Sequence, residues 1–243
     1  MKAVILAAGR GERLSPLTDH KPKPLLKVSG KPILQYTIDT LKHAGINRCI
    51  VITGYKAQAI REFLGDGSRF GIEVQYSHNP EYVKGNAFSL RTARYLLEDE
   101  KIFLLIMSDH IVHKAIVEAA LKNLCNAPLL CVDREPRYPP QIKDATKVLV
   151  NSENFIVDIG KNLSSWNAID TGVFLLNEKI FQAIDYEVEK EVYPLELNRC
   201  VKRMISTGTQ LWACDVSGCF WLDIDTQADL TFAEKVFKGV LDA

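Results

Sequence analysis

Short unbroken apolar runs alternate along this chain with longer stretches in which apolar residues recur every three or four positions. The runs at 2–6, 48–53, 72–76 and 102–107 each predict a buried strand. Between them, Leu34, Ile38, Leu41 and Ala44 stripe one helix, which Pro32 opens near its first turn and Gly45 stops. Ala57, Ile60, Phe63 and Leu64 stripe a shorter one. A helix over 111–124 and a strand over 128–132 complete a first half, 1–132. The second half, 133–243, opens on Asp133-Arg134-Glu135-Pro136-Arg137-Tyr138-Pro139-Pro140, which reads as a substrate-side insertion because strands resume at 146–150 and 155–159. Helices over 178–184 and 194–204, a strand over 211–215 and a final amphipathic helix from Thr226 follow. Strands alternating with helices at this spacing predict an α/β fold: one domain over 1–243, in three αβα layers around a mostly parallel mixed sheet. Ligands bind such sheets beyond the carboxyl ends of the strands, so the working residues should follow directly after the apolar runs.

The first such position is the richest. Leu6-Ala7-Ala8-Gly9-Arg10-Gly11-Glu12-Arg13-Leu14 ends the first strand in small residues and glycines, which let backbone N–H groups approach a phosphate. Although the chain is formally neutral, six Lys or Arg (Arg10, Arg13, Lys21, Lys23, Lys27, Lys31) face two acids between Arg10 and Lys31, which predicts a polyanionic ligand. The loop is not a dinucleotide fingerprint, since Leu14 stands where a third glycine belongs, and it has no Gly-Lys-Ser/Thr. After the fourth strand comes Ser108-Asp109-His110. An acid ending a wholly apolar strand needs a cation, and Asp109 is the best single metal-ligand position, with Mg2+ the natural partner of carboxylate and phosphate oxygens. His110 and His113 read as orienting or structural residues. Asn86, after Gly85, suits either a helix cap or a base contact.

The composite of the glycine loop with Lys23-Pro24-Leu25 resembles the signature of the sugar nucleotidyltransferases, which join an NTP to a phosphate monoester, and the likeness covers nearly the whole chain. It implies a Rossmann-type, GT-A-like fold with Mg2+ as cofactor. Leu6, Ala7, Ala8, Gly9, Arg10, Gly11 and Ser108 would then bind the nucleotide, and Gly85 and Asn86 would lie beside the base. Arg13 and Lys23 would be catalytic, holding the reacting phosphates. Lys161 resembles the lysine that meets the acceptor's phosphate, although it also reads as a solvated turn residue. Asp170-Thr171-Gly172 resembles the segment around the sugar ring, where many members carry Asn-x-Gly. Trp221-Leu222-Asp223-Ile224 resembles the second acidic station, with Asp223 as the second metal ligand and Asp225 as the alternative. Ser108-Asp109-His110, the 131–138 segment, Asp144-Ala145-Thr146-Lys147-Val148 and Asp170-Thr171-Gly172 together resemble the inositol-1-phosphate cytidylyltransferases. That likeness implies CTP and inositol 1-phosphate as substrates, CDP-inositol as product, and Arg137 and Lys147 beside the acceptor. Hexose 1-phosphates with UTP, dTTP or CTP, phosphocholine, and a non-catalytic nucleotide-sensing subunit remain open alternatives.

Composition narrows the class without changing it. The longest aliphatic stretch, at 102–107, is far short of the ~20 residues that span a bilayer. The first strand begins at once, leaving no room for a leader, so the expected location is cytoplasmic. Some relatives of this kind carry a fused membrane CDP-alcohol phosphotransferase, which would be a fused or separate partner here. Zero net charge without a basic stripe argues against nucleic acid. Six cysteines without a C-x-x-C pair read as small buried hydrophobes.

Overall fold

The computed structural model describes residues 1–138, 142 and 144–241, with side chains as far as 237. Its first strand, β1 (Ala3–Ala7), is buried along its whole length. A strand apolar on both faces needs cover above and below. On its edges lie two parallel neighbours, β4 (Arg48–Thr53) and β6 (Phe103–Met107), with Ile5 opposite Val51 on one side and Ile106 on the other. β5 (Glu73–His78) extends the parallel set beyond β4. On the other side, β11 (Ala168–Leu176) runs antiparallel to β6, β8 (Leu129–Asp133) and β9 (Lys147–Val150), and β10 (Ile156–Gly160) and β12 (Trp212–Asp215) finish the sheet. Two small ribbons stand apart, β2 (Lys27–Val28) with β3 (Lys31–Pro32) and β7 (His110–Val112) with β13 (Trp221–Asp223).

Alternation along β1 divides the core. Val4 and Leu6 pack into one layer, under α4 (Asn86–Arg91), α6 (Lys179–Val188) and α7 (Leu197–Ser206). Ala3, Ile5 and Ala7 pack into the other, under α2 (Ile33–His43), α3 (Ala57–Leu64) and α5 (Lys114–Lys122). A third cluster joins Leu14, Ile33 and Leu222 to Ala233 of α8 (Gln227–Leu241), beside the one-turn α1 (Leu17–His20). The expected three-layer α/β fold with its mixed sheet is therefore the one observed. Among the described residues no helix is long and apolar enough to cross a membrane.

Three departures from the sequence expectation position the site. The helix expected over 111–124 starts only at Lys114, where the His113 ring accepts the Ala115 N–H at 3.3 Å. Ile111 and Val112, both β-branched and buried, instead belong to β7, whose register sets Asp223 opposite His110. The helix expected over 194–204 starts at Leu197, because the Leu195 N–H is already donated to the Lys84 carbonyl at 2.7 Å. Finally, β11 carries a register shift between Asp170 and Phe174, and Gly172 within it takes φ +80. With Val173 opposite Ile106, the bulge lies just past the end of β6. Pro139 and Pro140 of the expected insertion lie outside the described residues.

Candidate active site

The glycine loop folds as the burial of Lys23 requires. Gly11 sits at φ +68, and a Cβ there would stand 2.9 Å from the Lys23 Cβ. Glycine thus lets the lysine side chain run beneath the loop, where Lys23 is only 6% exposed. The loop is fixed from outside by Thr18, whose hydroxyl donates to the Gly11 carbonyl at 3.0 Å, and by the Tyr55 N–H on the Ala8 carbonyl at 2.9 Å.

Lys23 ends in a cluster of carboxylates. Its Nζ lies 2.8 Å from Asp109 Oδ2 and 2.5 Å from Asp225 Oδ1. Arg13 donates to Asp225 as well, and to Asp144 Oδ2 at 3.1 Å. His110 Nδ1 lies 2.9 Å from Asp109 Oδ1 and 3.8 Å from Asp223 Oδ1. Its ring stacks on Trp221 with centroids 6.2 Å apart, and the Trp221 indole N–H is anchored on buried Asp133 at 2.8 Å. Gly172 admits the imidazole: a Cβ there would stand 2.8 Å from His110 Cδ2.

The electrostatics follow from this crowding. Burial works against the charge of Lys23, but Asp109, Asp223 and Asp225 outweigh it and hold its pKa above the ordinary lysine value. Burial also opposes ionisation of Asp109, and Lys23 and His110 reverse the balance, keeping its carboxyl well below the usual range. His110, penalised by burial yet facing Asp223 and Asp109, is raised to about 9. Asp223 behaves oppositely: burial, only partly offset by His110 and reinforced by Asp109, pushes it up to about 7. Burial likewise lifts Asp170 to about 6, against the Gly172 N–H that it accepts at 2.7 Å and the charge of His110.

Donor atoms of Asp109, His110 and Asp223 all lie within 4.8 Å of one another. Asp223 Oδ1 is buried and has no hydrogen-bond partner among the described residues. Two carboxylates and an imidazole with one orphaned oxygen form a donor set that fits a divalent cation. Asp225, by contrast, is engaged by Lys23 and Arg13.

Two adjoining cavities meet at this cluster. One, of about 410 Å³, is bordered by Leu6, Ala8, Gly9, Gly11, Gly85 and Ser108, with Lys23 at its floor. The other, of about 520 Å³, is bordered by Lys161, Asp170, Gly172 and Thr146. Most of the residues expected from the sequence thus converge, and the exceptions have physical causes. Ala7 packs inward in the core, and Arg10 points outward toward Glu12 and Asp19. Thr171 is fully buried, its hydroxyl on the Cys131 carbonyl at 2.9 Å. Lys147 lies over the Trp166 ring at 5.9 Å, outside both cavity walls. Arg137 borders a separate cleft of about 50 Å³ with Asp133, Tyr138 and Cys219. Asn86 lies on both cavities, but its Oδ1 is committed to the Leu197 N–H at 2.7 Å, the capping role weighed for it, in a helix other than its own. All six cysteines are free. Glu196, on the walls of both cavities, follows no apolar strand and carries no sequence mark, whereas Asp144, on the second, stands in the sequence only within the 144–148 segment that carries the resemblance, without an assigned role.

The sequence matches the model of the family described as nucleotidyl transferase over residues 2–128. The chain belongs to the nucleotidyl transferase family. It is 38% identical over 246 residues to a bifunctional IPC transferase and DIPP synthase of Aquifex aeolicus, covering 99% of this chain and 54% of that protein. A protein of the same description from Thermococcus kodakarensis is 35% identical, over 97% of this chain and 50% of its own length. The chain therefore spans about half the length of these curated relatives. Among solved structures it resembles the inositol-1-phosphate CTP transferase from T. maritima, with a TM-score of 0.82 and 26% identity, covering 98% of this chain and 96% of that one.

Proposed function

We propose that this chain condenses CTP with inositol 1-phosphate, releasing pyrophosphate and forming CDP-inositol. The observation that carries the reading is the meeting of a glycine-lined cavity and an Asp170-lined cavity at one cluster of Lys23, Arg13 and carboxylates. The likeness to the T. maritima inositol-1-phosphate CTP transferase, over almost the full length of both chains, supports the choice of substrates.

An oxygen of the acceptor's phosphate attacks the α-phosphorus of CTP, and the bond to the β-phosphate oxygen breaks as pyrophosphate leaves. Two anions must approach, so charge neutralisation and in-line placement are the main tasks, and no covalent intermediate on the enzyme is needed. Backbone N–H groups around Gly9 and Gly11 cradle the leaving phosphates, with Arg13 beside them, and Lys23 neutralises charge at the transfer point. Lys161 meets the acceptor's phosphate, and Asp170, with one oxygen on Gly172, keeps the other for a ring hydroxyl. Asp109 and Asp223, with Asp225 less favoured because it lies outside the group of mutually close donor atoms, would hold Mg2+. When bound, the ion would supply positive charge that offsets the negative charge of the reacting phosphates.

On this reading residues 1–132 form the nucleotide half and 133–243 the acceptor half of one nucleotidyltransferase domain. The chain works in the cytoplasm without nucleic acid, and a membrane CDP-alcohol phosphotransferase, fused or separate, consumes its product. The test is pyrophosphate release with magnesium, crossing CTP, UTP, dTTP and GTP against inositol 1-phosphate, glucose 1-phosphate and phosphocholine. Release only with CTP and inositol 1-phosphate is expected. Turnover with another pair would discard the inositol assignment, and silence with every pair would point to a sensing subunit.

A further inference from the structure

The segment just before α7 is fastened to the loop that borders the nucleotide cavity. Leu195 donates its N–H to the Lys84 carbonyl at 2.7 Å and accepts the Ala87 N–H at 3.1 Å, and the Leu197 N–H donates to Asn86 Oδ1 at 2.7 Å. Gly85, at φ +110, permits the approach, since a Cβ there would stand 2.3 Å from the Leu195 carbonyl oxygen. The backbone is therefore pinned on both sides of Glu196.

Glu196 occupies the residue position that caps α7, yet its carboxylate makes no capping hydrogen bond. It is half-buried and, among the described residues, has neither an ion pair nor a side-chain hydrogen bond. Six residues border both cavities: Arg13, Asn86, Met107, Asp109, Glu196 and Asp225. Arg13, Asp109 and Asp225 are tied into the ion-pair cluster, Asn86 spends its oxygen on Leu197, and Met107 is apolar. Glu196 alone of the six presents an uncommitted carboxylate to the crease where the substrates meet.

A carboxylate in that place has the wrong sign for phosphate and can only accept hydrogen bonds. Hydroxyl groups are the matching donors. A polyol ring carries them around its perimeter, so one acceptor residue reads only one edge. Asp170 on the β11 bulge borders the cavity at one place, and Glu196 borders it from the start of α7. We propose that Glu196 accepts a hydrogen bond from a ring hydroxyl of the acceptor and is a specificity-determining residue for it. The inference rests on the reaction proposed above.

The test compares wild type, Glu196→Ala and Glu196→Gln with CTP, inositol 1-phosphate and its singly deoxygenated analogues. Glu196→Ala should lower kcat/KM for inositol 1-phosphate about 10- to 100-fold while the KM for CTP stays within about twofold. Glu196→Gln keeps a carbonyl acceptor and should recover part of the loss. One deoxy analogue should be turned over equally by wild type and Glu196→Ala, a coincidence that a merely structural role does not produce. A loss confined to CTP, or an equal loss on every analogue, overturns the proposal. If wild type instead uses glucose 1-phosphate, the inositol reading falls separately. The same variants on deoxyglucose phosphates then decide the role of Glu196, and an unchanged acceptor kcat/KM overturns it.

Discussion

Replacing Lys23 by methionine removes the cation from between Asp109 and Asp225 while keeping the stem that runs beneath Gly11. At an effective dielectric constant of about 20, a unit pair at 2.8 Å is worth about 6 kcal/mol and one at 2.5 Å slightly more. Desolvation of the ammonium and repulsion among the carboxylates offset most of this, and opening such pairs costs about 3–5 kcal/mol. The Asp109 and Asp225 side chains keep 31% and 21% exposure, so water takes up part of the lost partnership and the lower end, about 3 kcal/mol, applies. For a chain of this length that lowers Tm by about 6–12 °C. The pH window follows from the directions of the shifts. Asp109 is depressed from 3.8, so its share is lost as pH falls; Lys23 is raised from 10.5, so its share is lost as pH climbs through the folded value. Asp223, held at about 7 and itself favoured in its charged form by Lys23, adds a second step: the gap between wild type and variant should widen as pH rises through about 7. In calorimetry of metal-free protein, added Mg2+ should restore much of the lost Tm, because the freed carboxylates can bind it. Pyrophosphate release should stay down by at least about 10²-fold, since the missing charge acts on the transferring phosphates. Recovery of turnover together with Tm would refute a catalytic role and leave Lys23 a structural counter-ion.

Other perturbations separate the roles assigned to neighbouring groups. Asp223→Asn should weaken Mn2+ binding, followed by the loss of free-ion EPR signal, by at least about tenfold, whereas Asp225→Asn should weaken it less; the reverse order would move the cation to Asp225. Gly85→Ala should destabilise by about 3 kcal/mol or more in urea unfolding, because the added carbon meets Leu195 backbone at 2.3 Å from a left-handed conformation; a loss under about 1 kcal/mol would mean the strap yields. Asp170→Asn should stabilise the metal-free protein above about pH 6, by about 1–2 kcal/mol after allowing for partial exposure, and give no gain below pH 3.8. The sign follows because a raised carboxylate pKa penalises the folded state only where the group is ionised; a gain independent of pH would contradict it.

The parts of this molecule legible in sequence are those whose cause is local. An unbroken run such as Ala-Val-Ile-Leu, too short for a helix and closed by small residues and glycines, reads as a strand covered on both faces, and an acid at the end of one, Asp109, is conspicuous because burial alone would exclude it. Lys23 was visible for a similar reason, as charge concentrated beside a glycine loop. What stayed hidden depends on partners far away in the chain. Ile111 and Val112 continue the apolar stripe of the following helix until Leu222 and Trp221 claim them as a ribbon. That three-residue pairing sets Asp223 opposite His110 and so builds the donor set. Glu196 has no local mark at all, since its meaning comes from the contact of Leu195 with Gly85. Arg137 and Lys147 stand differently: the resemblance implies them beside the acceptor, but the chain path takes one to a separate cleft and the other over Trp166. If Asp170 and Glu196 read the acceptor as proposed, acceptor choice rests on the bulge at Gly172 and the strap at Leu195 and can change through residues that leave the phosphate-handling motifs untouched.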